Sequence, residues 1–262
     1  MKKIKLLYLR LIALFHGLTN IVIKNNKGFK LKISNSHEIM RAVTFSEKEP
    51  EMIDWINDFK SNYRSDNFTF FDVGANVGIY SLYTAANYPN SKIYSFEPEA
   101  TNFSSLCLNI NSNNFFNIHP YQIALSFKEG FEDLHVALVE SGAGAAAIGL
   151  DYKNLKGENR NFLQGIYTTT LDDLVFKHGF KTPNFIKIDV DGFELDILKG
   201  AHKLLSSNSL IGMIIEFEFK NETQLKDMIK ILKNNHFNLI KKSEWVDYSI
   251  NGHEIRNFIF KK

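Results

Sequence analysis

The chain has 262 residues, 44% of them hydrophobic and 23% charged, with a formal net charge of +2. It is long and apolar enough for one well-cored α/β domain with an extension, while its Lys and Arg are scattered among acids rather than gathered into a nucleic-acid footprint. The single cysteine, Cys107, excludes an intramolecular disulfide and a cysteine-based zinc site, which fits a reducing, cytoplasmic compartment.

At the N-terminus Lys2, Lys3 and Lys5 precede an apolar run over 6–18 that Arg10 and His16 interrupt. No cleavage site follows, and a membrane span needs about 20 apolar residues. The run reads as an amphipathic helix packed on its own domain, with a peripheral membrane or subunit contact through residues 1–18 as the alternative. Residues 21–34 alternate around Asn25-Asn26-Lys27-Gly28, a β-hairpin pattern. Behind Pro50, the stripe Met52, Ile53, Trp55, Ile56 and Phe59 predicts a helix over a sheet edge. Residues 1–66 are thus expected as a helix, hairpin and capping helix packed on a core domain of 67–262.

The informative stretch runs over 68–98. An apolar strand over 68–73 ends on Asp72-Val73, glycines follow at 74 and 78, and Ile79, Leu82, Tyr83 and Ala86 keep helical period. A second strand, 93–96, leads into Glu97, 19 positions after Gly78. This is the layout of a nucleoside-binding βαβ unit, in which a carboxylate at the second strand tip accepts hydrogen bonds from ribose hydroxyls. The dinucleotide spacing G-x-G-x-x-G is absent, and Asp72 would repel a pyrophosphate, so an amine or sulfonium ligand suits it better. The glycines are expected to let a ligand approach the turn.

Further on, 100–111 predicts a helix with Phe103, Leu106 and Leu108 inward, 118–125 a third strand, and 131–139 an added antiparallel strand. The run 141–149, SGAGAAAIG, has few side chains to pack and reads as a mobile loop, either a flap over the acceptor or a plain connection. A capped short helix is expected at 169–178, a buried strand at 184–190 and a helix at 195–205. Strands at 211–217, 239–243 and 257–261 and a helix at 222–235 complete the pattern. Trp245, Asp247, Tyr248 and His253 lie on the last hairpin, an aromatic pair and a histidine beside polar groups.

A second acidic cluster, Asp189, Asp191 and Glu194, closes the 184–190 strand. In a doubly wound sheet such a strand end lies on the ligand-binding rim, where a carboxylate can orient an acceptor hydroxyl or remove its proton. Asp191 and Glu194 also flank the start of the next helix, where acids are stabilising without any chemistry.

The strand–glycine–helix unit with Asp72 and Glu97 resembles S-adenosylmethionine-dependent methyltransferases. Together DVGANVG (72–78), FEP (96–98), ALS (124–126), TLDDL (170–174), KIDVDGFE (187–194), LKGA (198–201) and IIE (214–216) resemble the FkbM family, over about 68–220. The resemblance implies a Rossmann-like class I sheet of seven strands, mostly parallel with the last antiparallel, S-adenosylmethionine as methyl donor, and O-methylation of sugars or polyketide hydroxyls. It assigns Asp72, Gly74, Asn76, Gly78 and Glu97 to the donor, and Asp189 and Glu194 to the acidic motif. Asp191 stands where many members carry Glu.

The leading reading is an O-methyltransferase of a carbohydrate or nucleotide-sugar hydroxyl, in surface polysaccharide or glycoconjugate biosynthesis. Within the enzyme class, the cluster Asp189, Asp191, Glu194 and Glu216, with Asp189 and Glu216 foremost, can instead be read as holding Mg²⁺ or another hard cation that lowers the acceptor hydroxyl's pKa. The non-enzymatic alternative is a nucleoside-binding module.

Overall fold

The computed structural model describes residues 21–24, 28–63, 65–144, 146–148, 162–218, 222–243, 247–248 and 254–262. The expected 1–18 helix, the hairpin turn at 25–27, Trp245 and His253 lie outside these residues.

The chain opens with a hairpin, β1 (Ile21–Lys24) and β2 (Lys30–Ile33), paired antiparallel as the alternation predicts. Three helices follow: α1 (Ser36–Lys48), α2 (Pro50–Asn57) and α3 (Phe59–Tyr63). The sequence reading had no helix at 36–48, although Asn35 caps it by accepting from His37 and Glu38 N–H groups.

The central sheet alternates with helices: β3 (Thr69–Val73), α4 (Ile79–Asn87), β4 (Lys92–Phe96), α5 (Ala100–Asn113) and β5 (Ile118–Tyr121). After an excursion come β10 (Phe185–Ile188), α7 (Glu194–Lys199), α8 (His202–Ser206), β11 (Gly212–Glu218), α9 (Glu222–Asn234), β12 (Asn238–Lys242), β13 (Asp247–Tyr248) and β14 (Glu254–Lys261). Strand order is β12-β14-β11-β10-β3-β4-β5, with β13 added to β14. The strands from β11 to β5 pair parallel, and β14 runs antiparallel between β11 and β12. With β13 set aside, this is the seven-stranded, mostly parallel sheet that the family resemblance implies.

The excursion forms a second sheet, ordered β6-β9-β7-β8, from β6 (Ala124–Leu125), β7 (Gly130–Val136), β8 (Ala146–Ile148) and β9 (Phe162–Thr169), with α6 (Leu171–Phe176) after it. The expected single strand over 118–125 is therefore two strands in two sheets, and β9 was not foreseen. Likewise the expected 195–205 helix is broken at Gly200, whose Cα packs so close to Ser126 that an added Cβ would lie 2.3 Å from its carbonyl oxygen. The Asp172 carboxylate then accepts the freed Lys203 and Leu204 N–H groups at 2.9 and 2.8 Å.

Strand alternation splits the core across the sheet. Phe70 and Phe185 join Ile39, Phe45, Trp55, Phe59 and Leu82 on one face, under α1, α2 and α4. Phe71, Val73, Ile186 and Ile188 join Leu171, Leu198 and Leu232 on the other. On α5 Leu106 is buried as expected, but Leu108 is 44% exposed. Asn109 takes the inward place, accepting Lys32 N–H at 2.8 Å and donating to the Val77 carbonyl at 2.9 Å.

Candidate active site

Parallel strands end together, so the residues just past β3, β4 and β10 converge on one rim with Glu216 near the end of β11. The turn after β3 is folded by its own backbone: Gly74 and Ala75 N–H both donate to the Phe96 carbonyl at 3.0 Å. Asn76 N–H donates to Glu97 Oε2 at 2.7 Å and Glu99 N–H to Glu97 Oε1 at 2.9 Å. Gly74, Asn76 and Gly78 have φ of 73°, 51° and 88°. The glycine requirement comes from packing more than from a ligand. A Cβ on Gly74 would meet Asp189 O at 1.9 Å, and one on Gly78 would meet Leu106 Cδ1 at 2.4 Å.

A cavity of about 350 Å³ opens above this rim, lined among others by Gly74, Asn76, Glu97, Asp189, Asp191 and Glu216. A second, of about 250 Å³, shares Arg41, Lys48, Glu49, Gly74, Asn76 and Asp189 with it. Of the residues predicted from sequence, six, Gly74, Asn76, Glu97, Asp189, Asp191 and Glu216, meet at the first cavity. Asp72, Gly78 and Glu194 do not line either cavity.

Asp72 lies beneath the turn, fully buried, accepting from Ser81 Oγ at 2.5 Å and 3.1 Å from Lys187 Nζ. Strand register makes that pair, since Lys187 sits opposite Asp72. Lys187 Nζ also donates to the Gly74 carbonyl at 2.9 Å and pairs with Asp189 at 3.0 Å. Burial alone would lower its pKa, but Asp189 and Asp72 raise it above the usual lysine value. Lys187 thus ties the turn to β10. Nothing in the sequence reading gave it a role, though a lysine inside an otherwise apolar strand was a visible signal.

The same alternation that buries Phe70 and Phe185 sends Asp72, Lys187, Asp189 and Glu216 to the α1–α2 face. Asp189 would be raised by burial, yet Lys187 and a hydrogen bond from Glu216 bring its carboxyl down to about 2. Glu216 is the other member of the pair: burial and the Asp189 charge push it well above the usual value, so it carries the shared proton. Asp189 and Glu216 are joined by that proton. Among the described residues no group of three or more His, Cys, Asp or Glu has metal-holding geometry, so the Mg²⁺ reading gains no support.

Glu97 is pushed up to about 7 by burial, against the hydrogen bonds from Glu99 and Asn76 N–H. Glu194 is pushed up to about 8 by burial and accepts from Gly192 N–H at 3.1 Å. Asp191 is exposed on the rim and accepts from Ala146 N–H at 3.3 Å.

The segment expected to be a mobile loop is anchored in its described part. Ser141 Oγ donates to Glu38 at 2.7 Å, Gly142 N–H to Asn102 Oδ1 at 2.8 Å, and Asn76 Nδ2 to the Ala143 carbonyl at 3.2 Å. Arg41 Nε holds the Gly142 carbonyl at 2.5 Å. These contacts hold 141–144 against α1 and α5, and 146–148 is strand β8. Sequence reasoning also missed Arg41, Lys48, Glu49 and Tyr80, because no local pattern connects α1, α2 and α4 to the strand tips.

A family model for the methyltransferase FkbM domain matches residues 72–239. The chain belongs to the FkbM methyltransferase family. It is similar to Methyltransferase 1 of Beauveria bassiana (28% identity over 52% of this chain and 59% of that one). It is also similar to the hexuronic acid methyltransferase AglP of Haloferax volcanii (26% identity over 62% of this chain and 60% of that one). The FkbM chain thus spans about three-fifths of the length of these curated relatives. In fold it matches the METTL16 methyltransferase domain with a TM-score of 0.51 at 13% identity, over 98% of this chain and 91% of that one. Among the described residues no helix is long and apolar enough to cross a membrane.

Proposed function

We propose that this FkbM-family chain is an S-adenosylmethionine-dependent O-methyltransferase that acts on a carbohydrate or nucleotide-sugar hydroxyl. The observation that carries the donor assignment is Glu97: a carboxylate at the tip of β4, on the cavity wall, whose Oε2 accepts, among the described residues, only the Asn76 N–H and so keeps a lone pair for a ribose hydroxyl, while Oε1 accepts the Glu99 N–H at 2.9 Å and the Asn102 amide at 3.5 Å. Phe96, Ile123 and Leu125 give the same wall an apolar surface suited to a flat base. Bound S-adenosylmethionine supplies an electrophilic methyl carbon on a sulfonium.

The chain's own residues would do the rest. Asn76 and Glu97 hold the nucleoside end, Asp72 and Lys187 keep the turn rigid from below, and Asp189 presents a negative charge toward the sulfonium side. With its carboxyl near 2, Asp189 orients and stabilises rather than removes a proton. Asp191 is suited to acceptor contact at the rim, while Glu194, buried behind Gly192, supports the loop that carries it. The sugar assignment draws support from the name of the Haloferax volcanii relative, a hexuronic acid methyltransferase.

The test is twofold. Calorimetry with S-adenosylmethionine and NAD side by side is expected to give binding of the first alone, and NAD binding without it would sink the donor assignment. A panel of uronic acids, neutral glycosides and nucleotide sugars with labelled methyl donor is expected to give label in a sugar ether and S-adenosylhomocysteine in equal amounts. Donor binding with no transfer to any member of the panel would overturn the carbohydrate assignment.

A further inference from the structure

We infer that Glu49, brought to the cavity by the junction of α1 and α2, is the general base that takes the acceptor hydroxyl's proton during methyl transfer. The inference rests on the methyl-transfer reading above and adds a residue outside the segment 72–239 that the family model matches.

Glu49 precedes Pro50, at the position from which a side chain ordinarily caps the following helix. It makes no such cap. Its carboxylate instead lies on the wall common to both cavities, together with Asp189. One oxygen, Oε2, is fixed by the Tyr80 hydroxyl, which donates at 2.7 Å. The other, Oε1, makes no hydrogen bond among the described residues, its ion partner Lys48 Nζ standing at 3.8 Å. A cavity-lining carboxylate held by one oxygen, with no hydrogen bond on the second, has the geometry of a base rather than of a structural acid.

The neighbouring carboxylates are less suited. Asp189 is occupied by Lys187 and Glu216, and Glu216 already holds a proton. Asp191 is exposed and accepts from the Ala146 backbone. The groups facing Glu49 are Lys48 from α1, Tyr80 from α4, Lys187 from β10, Asp189 just past it and Glu216 from β11. Burial and the Asp189 charge raise the Glu49 carboxyl above its ordinary value, against Lys48, the Tyr80 hydrogen bond and Lys187. A raised carboxyl is a stronger base once ionised.

In the step, the acceptor oxygen bonds to the methyl carbon of the sulfonium donor while Glu49 takes the hydroxyl proton. The carbon–sulfur bond breaks with its electron pair left on sulfur, giving a neutral thioether, and Glu49 returns the proton to water afterwards.

Glu49→Gln keeps size and the Tyr80 contact. Its donor Kd by calorimetry is expected within about two-fold of wild type, while kcat falls by about 10²–10⁴-fold. Glu49→Asp, with the carboxylate retained, is expected to recover part of that loss. Tyr80→Phe removes a bond that favours the ionised form, so the acidic limb of kcat/KM should move to higher pH. A second readout needs no turnover: in protein labelled with ¹³C at glutamate carboxyls, the resonance lost in Glu49→Gln should titrate above 4.5, the ordinary glutamate value. Wild-type turnover in Glu49→Gln, or a Glu49 resonance titrating at or below 4.5, would overturn the inference. Wild-type protein that methylates nothing in the sugar panel overturns the carbohydrate reading instead, and Glu49 is then judged by its titration.

Discussion

The Glu97 side of the cavity and the Glu49 side are held by different means. Around Glu97 the short polar contacts are backbone: the Asn76 and Glu99 N–H groups reach the carboxylate, with the Asn102 amide at 3.5 Å as its one side-chain donor among the described residues, and the Gly74 and Ala75 N–H groups reach the Phe96 carbonyl. Around Glu49 the partners are side chains from separate elements, with Tyr80, Asp189, Glu216 and Lys48 brought together by the packing of α1, α2 and α4 on the sheet. Backbone positions follow from local sequence, and side-chain clusters follow from the fold.

The largest expected effect comes from the residue that links both sides. Lys187→Ala leaves Asp72 buried without its cation and frees Asp189, and should cost about 3–5 kcal/mol in urea unfolding. A loss below about 1 kcal/mol would show that the two walls are independent of Lys187.

The glycines come next. Gly74→Ala places a methyl group against the backbone oxygen of Asp189, which cannot move without β10, and should cost more than about 3 kcal/mol. Gly78→Ala meets only a Leu106 methyl, so the left-handed strain of about 1–2 kcal/mol should dominate. Equal losses in the two variants would remove Asp189 from the argument.

Glu97→Ala should weaken S-adenosylmethionine binding by about 1–3 kcal/mol, since the Asn76 and Glu99 N–H groups lose their partner along with the ribose. Calorimetry showing an unchanged donor Kd would separate Glu97 from the donor and leave the comparison without its first term.

The last effect is one of pH, absent in acid and full only above neutrality. The folded Glu194 carboxyl titrates near 8 instead of the ordinary 4.5, so the folded chain holds this proton more tightly than the unfolded one. The stability this provides is complete below about pH 4.5 and is lost as pH rises to about 8. Glu194→Gln, permanently neutral, should therefore melt higher than wild type at pH 8–9, with the gap closing toward pH 5. Each kcal/mol corresponds to about 2–4 °C. A gap that widens toward acid would mean that Glu194 is ionised in the fold.

Much of this was legible in the sequence. The βαβ unit at 68–98 and the acids at 189–194 announced themselves because strand alternation, helical period and glycine turns are local signals. Where the reading went astray, tertiary contact outweighed local pattern. Ser141 to Gly144 looked too small to pack, yet backbone groups and one hydroxyl suffice to bind them to Glu38, Arg41, Asn76 and Asn102. Leu108 looked inward by its hydrophobicity, but the face of α5 toward β2 needed the amide of Asn109 to satisfy backbone groups. The helix over 195–205 has an unbroken apolar stripe, yet it is divided at Gly200, where the backbone packs against Ser126.

By itself the sequence determined the alternation of strands and helices and the residues that follow the strand ends, since these depend on periodicity and on spacing along one chain. Its motifs carried the family resemblance that implied the sheet. Only the tertiary structure decided that Asp72 lies under the turn rather than in the cavity, that Lys187 joins it to Asp189, and that Glu49 stands beside them. The physical reason is that ion pairs and proton sharing depend on distance in space, and residues 49, 72, 187 and 216 become neighbours only when the helices close over one face of the sheet.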